Sequence, residues 1–144
     1  MKVESGGIVY LPDGRVYVGD LQLESGGRVG FENPLRNTIL YVKGKILWRS
    51  NFSYRVKGSN FTFKSVAKKF KLIYYGSDKI FFDIDWYGTI MAPNAEIVLG
   101  QTHHKSLYGQ FFANKIIVHQ YADIQNEPYE SDQDQLEYVL SEKN

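Results

Sequence analysis

Two segments of the chain repeat nearly the same residues. Residues 87–99 read YGTIMAPNAEIVL and residues 108–118 read YGQFFANKIIV, so each contains Tyr-Gly, an apolar pair, alanine, a turn at asparagine and a β-branched run. The first Tyr-Gly pair begins at Tyr87 and the second at Tyr108, and Asn94 corresponds to Asn114. A repeat of this length is typical of architectures that stack similar units.

Similar units of an apolar run followed by a turn recur along the whole chain. Glycine and asparagine tolerate the left-handed backbone conformations that tight turns require, so their place between β-branched and aromatic runs has a physical basis. The turn residues are Gly14, Gly27, Gly44, Gly58, Gly76, Asn94 and Asn114, and the intervals between them are longest toward the C-terminus. This pattern predicts an all-β fold, with helix expected only around SVAKKFK or in the C-terminal tail.

Two all-β architectures fit these intervals. The short intervals, such as the one from Gly14 to Gly27, suit the hairpins of an antiparallel β-sandwich, whereas the long interval from Asn94 to Asn114 suits a coil of a solenoid. The runs AEIVLG and KIIVHQ are almost continuously apolar, which is typical of strands buried between parallel neighbours. We therefore predict a short right-handed parallel β-helix, with the sandwich as the alternative.

The repeat also predicts which residues lie beside each other in adjacent coils. Ala92 should lie beside Ala113, and Ile97 should lie beside Ile117. Neighbouring strands in such a stack are about 4.8 Å apart.

Length and charge divide the chain into one domain and a tail. The 144 residues, of which 43% are apolar, suffice for one core, so residues 1–124 are predicted to form a single all-β domain. Residues 125–144 carry six acids and one base and are predicted to form an acidic C-terminal tail. No run approaches the roughly 18 apolar residues of a membrane helix, so no membrane span is expected.

Basic residues concentrate in the middle of the sequence. Between Lys43 and Lys79 there are ten lysines and arginines against the single acid Asp78. Such a stretch either attracts anionic partners or protects exposed strand edges from aggregation. The basic insertion at residues 50–71 has no counterpart in the repeat.

The repeat resembles the β-helical modules of large bacterial secreted or surface-anchored proteins of the fibro-slime and choice-of-anchor kind. The similarity covers mainly residues 85–124. Its positions are Gly88, Ile90, Ala92, Pro93, Ala95, Ile97, Leu99, Gly109, Phe111, Ala113, Ile116, Val118 and Ile124. These are packing and turn residues, so the resemblance implies a β-helix in an extracellular or cell-surface setting and implies no catalytic residues.

Residues that could carry chemistry are few. Adjacent histidines on an extended segment point to opposite faces, so only one of His103 and His104 could join His119 at a metal, and an exposed loop explains the pair better. Asp83 and Asp85 share one face of a strand, whereas glycoside hydrolysis requires carboxyl groups on either side of a sugar. No nucleophile, zinc or phosphate-binding motif is present. We predict a non-enzyme that uses no metal and no cofactor.

Aromatic side chains are the candidate ligand contacts. The chain has 11 Tyr, 9 Phe and 2 Trp, most of which are expected in the core. Trp48, Trp86, Tyr87 and Tyr108 lie beside polar or turn residues and are predicted to stack on sugar rings. Basic and aromatic residues alternate between Arg49 and Tyr75, but no nucleic-acid motif accompanies them, so nucleic acid is an unlikely partner.

The sequence therefore predicts a non-catalytic structural or adhesive module of a bacterial extracellular or cell-surface protein. The alternative is a carbohydrate-binding module for an anionic polysaccharide. Predicted partners are polysaccharide, other surface proteins, or a second copy that docks on an uncovered end of the solenoid. The N-terminal end is expected to be the uncovered one, because the acidic tail follows the last coil.

Overall fold

The computed structural model describes residues 1–53 and 62–131. These residues contain fifteen strands and one short helix, arranged as a parallel stack of about six coils. The predicted fold class, an all-β parallel solenoid, is confirmed. The alternative antiparallel sandwich is wrong, because every strand pair in the described residues is parallel.

The elements follow one another in a regular order of three strands per coil. The first three coils comprise β1 (Lys2–Val3), β2 (Ile8–Leu11), β3 (Gly14–Val18), β4 (Leu21–Leu23), β5 (Arg28–Phe31), β6 (Thr38–Val42), β7 (Ile46–Trp48), β8 (Asn51–Phe52) and, after helix α1 (Phe63–Ala67), β9 (Phe70–Tyr74). The remaining coils comprise β10 (Ile80–Phe82), β11 (Trp86–Tyr87), β12 (Thr89–Leu99), β13 (Lys105–Gly109), β14 (Phe111–Val118) and β15 (Ala122–Asn126). Strands β12 and β14 each bend at a corner, so that the first part of each strand belongs to one coil and the second part to the next coil.

The register of the last coils confirms one predicted pair and corrects the other. Ala92 pairs with Ala113 as predicted, but Ile97 pairs with Ile116 and not with Ile117. The two strands differ at the corner, because β12 has two more residues there than β14, where Asn114 alone forms the corner. The offset between paired residues is therefore smaller after the corner than before it.

The core is a continuous column of inward-facing side chains. Leu40, Leu72 and Ile90 are stacked neighbours in three successive coils, and each is fully buried. Burial of such a column removes apolar surface from water at every coil, which is the main stabilising contribution.

The predicted boundary between domain and tail needs a small correction. The last strand, β15, ends at Asn126, so the solenoid continues past the predicted boundary at residue 124. Residues 132–144, which include most of the predicted acidic tail, lie outside the described residues.

The stack is interrupted between the third and fourth coils. Within the described residues, β9 pairs with β12 across this junction, whereas β7 forms no ladder with β10 and β8 forms none with β11. Aromatic side chains fill the interior at this junction, where the Trp48 and Trp86 rings meet edge to face at 4.8 Å and both contact Phe70. The coils therefore separate on two sides and remain joined on the third.

Helix α1 lies in the basic insertion beside this junction. Thr62 caps the helix by accepting a hydrogen bond from the Ser65 backbone N–H at 3.3 Å. A helix therefore occurs at the predicted place, but of SVAKKFK only residues 65–67 are helical, and Phe70 and Lys71 belong to β9. No helix in the described ranges has the length and apolar character needed to cross a membrane. The rest of the insertion, residues 54–61 with the predicted turn at Gly58, lies outside the described residues.

Candidate functional site: a groove at the coil junction

The two predicted tryptophan contacts are buried in the core. Trp48 is 1% exposed and Trp86 is 0% exposed. Their indole N–H groups donate to the backbone carbonyls of Ser50 and Gly88, each at 2.9 Å. A side chain without exposed surface has no face to offer a sugar ring, so the prediction is wrong for both residues. Their polar neighbours in the sequence supply the internal hydrogen-bond partners that buried indoles require.

Tyr87 and Tyr108 lie at the surface but stack on each other. They are register partners on β11 and β13, with ring centroids 5.6 Å apart and planes inclined by 9°. Phe63 of α1 stacks on the other side of Tyr87 at 4.1 Å, and the Lys64 ammonium lies 5.6 Å from the Tyr108 ring. Both tyrosines are half-buried. The two tyrosines thus use most of their aromatic surface to hold the helix against the solenoid.

A groove of about 630 Å³ lies where β7 and β10 separate. It extends along the solenoid from Ser25 in the second coil to Lys105 in the fifth. Its other lining residues are Ile46, Leu47, Trp48, Arg49, Asn51, Lys79, Ile80, Phe81, Asp83, Ile84 and Gln101. The interruption of the sheet therefore creates a concave surface on one side of the solenoid.

Three cations and one carboxylate determine the charge of the groove. Arg49 is exposed and forms no ion pair with the described residues, and Lys105 is partly buried near Asp83. The Lys79 ammonium forms a salt bridge with the Glu96 carboxylate, with 2.7 Å between Nζ and Oε2. The Arg49 guanidinium is consequently the groove cation with the most freedom to bind an incoming anion.

The Asp83 carboxylate is held by the turn of the following coil. It accepts hydrogen bonds from the hydroxyl and the backbone N–H of Thr102, at 2.6 and 3.1 Å. Burial opposes ionisation, but these hydrogen bonds and the nearby charge of Lys105 outweigh it and hold the pKa of Asp83 below its usual value. Asp85 likewise accepts from the backbone N–H of Ser106 at 2.9 Å. Both aspartates therefore connect successive coils.

Planar side chains complete the groove. Phe81 is 46% exposed, and the Lys79 ammonium lies 5.8 Å from the centre of its ring. Asn51 and Gln101 add amide groups that donate and accept hydrogen bonds. An exposed ring beside amides and a guanidinium suits a ligand that has both an apolar ring face and hydroxyl or carboxylate groups.

Phe81 and Arg49 were not predicted as site residues, for different reasons. Phe81 belongs to an apolar run and is exposed on the outer side of β10, which is a tertiary property. Arg49 and Lys79 were part of the basic stretch between Lys43 and Lys79, so their charge was visible in the sequence but their convergence was not. Lys105 was not singled out at all.

The part of the chain that the structure describes contains no group of three or more histidine, aspartate or glutamate side chains placed to hold a metal ion. His103 and His104 are exposed beside the turn at Thr102. The His119 backbone N–H donates to the Leu99 carbonyl at 3.0 Å, which joins two coils.

Comparisons of the chain with known protein families, with curated proteins and with solved structures find no match. The resemblance to bacterial surface β-helical modules therefore stays a prediction that is based on the residues of the repeat.

Proposed function

We propose that the protein is a non-catalytic adhesive module of a bacterial extracellular or cell-surface protein, and that its groove binds an anionic polysaccharide. The observation that carries this proposal is one groove that combines the exposed Arg49 guanidinium and Phe81 ring with the amides of Asn51 and Gln101. Uronate sugars match this set, because they present a carboxylate, hydroxyl groups and an apolar ring face.

The shape of the groove supports a polymer as the ligand. The groove follows the stacking direction across four coils, which are about 4.8 Å apart. A chain of sugars can lie along such a groove and contact each coil in turn. The solenoid thus supplies a rigid, extended surface, which suits adhesion.

Binding measurements with charge-reversal variants test the proposal. Titration with an oligogalacturonate by calorimetry should give binding that weakens as salt is raised, whereas a neutral oligosaccharide of equal length should bind more weakly. Arg49→Glu and Lys105→Glu should each lower the affinity about tenfold, equivalent to about 1.4 kcal/mol. Lys2→Glu changes the net charge equally but lies in the first coil, so it should leave affinity unchanged. Equal losses of affinity in all three variants would refute specific binding in the groove.

A second candidate role, self-association, is supported by the C-terminal end of the stack. Ile116, Val118 and Ile124 pair with fully buried core residues of the preceding coil, yet they are 40%, 50% and 40% exposed. Their strands also have one unpaired edge in the described part of the chain. A head-to-tail contact with the first coil of a second copy would continue the parallel pairing.

The sequence-based prediction named the N-terminal end of the stack as the uncovered end, whereas this role uses the C-terminal end. Residues 127–131 lead away from the last coil and toward the segment that follows helix α1, where the Glu130 backbone N–H donates to the Lys68 carbonyl at 2.8 Å. Light scattering as a function of concentration tests the role: Val118→Lys should reduce association, and Leu35→Lys, at a 67% exposed site in the second coil and away from both ends of the stack, serves as a control. Monomers at every concentration would refute it.

A further inference from the structure

The third side of the solenoid, formed by β3, β6, β9, β12 and β14, has an apolar column on its outer face, which is exposed toward both ends and nearly buried in the middle, where Ile73 is 9% exposed. Stacked register partners form this column, one from each of five successive coils: Tyr17, Tyr41, Ile73, Met91 and Phe112. Tyr17 is 68% exposed, Phe112 is 51% exposed, and Tyr75 beside the column is 62% exposed. Tyr17 and Tyr41 stack at 4.6 Å with nearly parallel rings. We call this surface the tyrosine face.

Cations border the tyrosine face. Arg15 and Lys71 occupy equivalent outward positions beside the column on β3 and β9, and both are register partners of the same β6 residue. Lys43 follows β6 and is exposed. Asp13 lies nearby but pairs with Arg36 at 3.6 Å. Exposed apolar side chains grouped on one face often mark an interaction site, and the positive charge favours an acidic occupant.

The described chain ends on this surface. The Asn37 side-chain amide donates to the Glu130 carbonyl at 2.7 Å, and the Tyr129 ring lies 4.2 Å from the Lys71 ammonium. Ser131 lines a pocket of about 200 Å³ together with Arg15. Residues 127–131 therefore cross from the last coil to the first, and Ser131 lies next to the strand that carries Tyr17.

The chain beyond Ser131 has the composition that this surface would bind. The remaining residues, 132–144, read DQDQLEYVLSEKN and carry four acids and one base, with Leu136, Tyr138, Val139 and Leu140 as an apolar cluster. Thirteen residues span at most about 43 Å, whereas five strands at about 4.8 Å spacing are about 19 Å wide. The whole tyrosine face is therefore within reach.

We propose that residues 132–144 dock on the tyrosine face of their own chain. The apolar cluster of the segment covers the exposed rings, and its carboxylates approach Arg15, Lys43 and Lys71. Because the segment is tethered beside its target, its effective concentration is in the millimolar range, so weak contacts suffice to keep it bound. The surface is then occupied in the isolated protein.

Nuclear magnetic resonance on the full chain and on a chain that ends at Ser131 tests this proposal. Removal of residues 132–144 should shift the backbone amide resonances of Tyr17, Tyr41 and Tyr75 and increase binding of a dye that recognises exposed apolar surface. Resonances of the groove and of the last coil should not move. Shifts confined to the last coil, at Ile116 and Val118, would place the segment at the C-terminal end and overturn the proposal, as would the absence of shifts.

A peptide experiment separates docking from indirect effects of truncation. A synthetic peptide of residues 132–144, added to the truncated chain, should restore the resonances of the full chain. Tyr17→Ser in the truncated chain should abolish this effect, and Tyr10→Ser, at an exposed site on another side, should not. Replacing Asp132, Asp134 and Glu137 by their amides should weaken the peptide about fivefold at low salt. A peptide that binds both tyrosine variants equally would refute the proposed surface.

Discussion

The two glycines of the repeated Tyr-Gly pairs approach each other so closely that the second leaves no room for a side chain. Gly88 and Gly109 occupy equivalent corners of successive coils, and the Gly88 backbone N–H donates to the Tyr108 carbonyl at 2.9 Å. A Cβ added at residue 109 would overlap the carbonyl oxygen of Gly88. The residue also has φ +154°, a conformation that L residues rarely adopt.

Gly109→Ala should therefore destabilise the fold strongly. The backbone conformation costs about 1 to 3 kcal/mol, and the overlap costs about 1 to 3 kcal/mol more because the obstructing atom belongs to the backbone of the neighbouring coil. The sum is about 2 to 6 kcal/mol. At a urea slope of about 2 kcal/mol per molar, the unfolding midpoint falls by about 1 to 3 M.

Gly19→Ala is the matched control for this experiment. Gly19 is exposed, and no atom lies within 4 Å of an added Cβ. The same substitution there should change the free energy of unfolding by less than about 1 kcal/mol, with stabilisation expected from the lower entropy of the unfolded chain. Circular dichroism during urea unfolding measures both variants. Equal midpoints for Gly109→Ala and Gly19→Ala would show that the corner has no steric requirement.

Three further predictions concern the core and the groove. Ile97→Ala, at a fully buried site, should cost about 2 to 5 kcal/mol, whereas Val118→Ala, at a half-exposed site, should cost less than about 1 kcal/mol; similar urea midpoints would contradict this. Because the pKa of Asp83 is lowered in the folded protein, its carboxylate stabilises the fold above about pH 4, and this contribution is lost as pH falls through the folded-state pKa. The difference in melting temperature between the wild type and Asp83→Asn should therefore become smaller in acid. A difference that stays constant down to about pH 2 would contradict this prediction. Since Trp48 and Trp86 are buried, iodide should quench their fluorescence only after unfolding, and quenching of the folded protein would show that an indole is accessible.

Much of the fold is already encoded in local features of the sequence. Recurring turn residues set the length of each coil, and continuous apolar runs indicated strands with parallel neighbours on both edges. The pairing of Ala92 with Ala113 followed directly from the repeat. Ile97 was assigned to the wrong partner because the corner at Asn94 contains two more residues than the corner at Asn114, and a sequence repeat does not show how many residues a corner uses.

The prediction of exposure was less successful than that of the fold. Trp48 and Trp86 have polar or turn neighbours in sequence, but those neighbours, Ser50 and Gly88, supply backbone carbonyls to buried indoles. Val118 lies in the run KIIVHQ, which was predicted to be buried between parallel neighbours, but it belongs to the last coil and has no following coil in the described structure. Burial in a solenoid depends on what lies above and below a residue, and the local sequence contains no information on that.

Local sequence preferences encode the repeating strand-and-turn unit, because steric preferences at glycine and asparagine and the period of apolar residues act over a few neighbouring residues. The place where the stack separates depends instead on how whole coils pack on each other. The insertion between β8 and β9 lengthens the third coil, so that Thr38 pairs with Phe70. The third and fourth coils then pair on one side only, through β9 and β12. Arg49 and Phe81 both line the resulting groove because β7 and β10 do not pair, and this depends on the register of whole coils, which no local sequence pattern encodes.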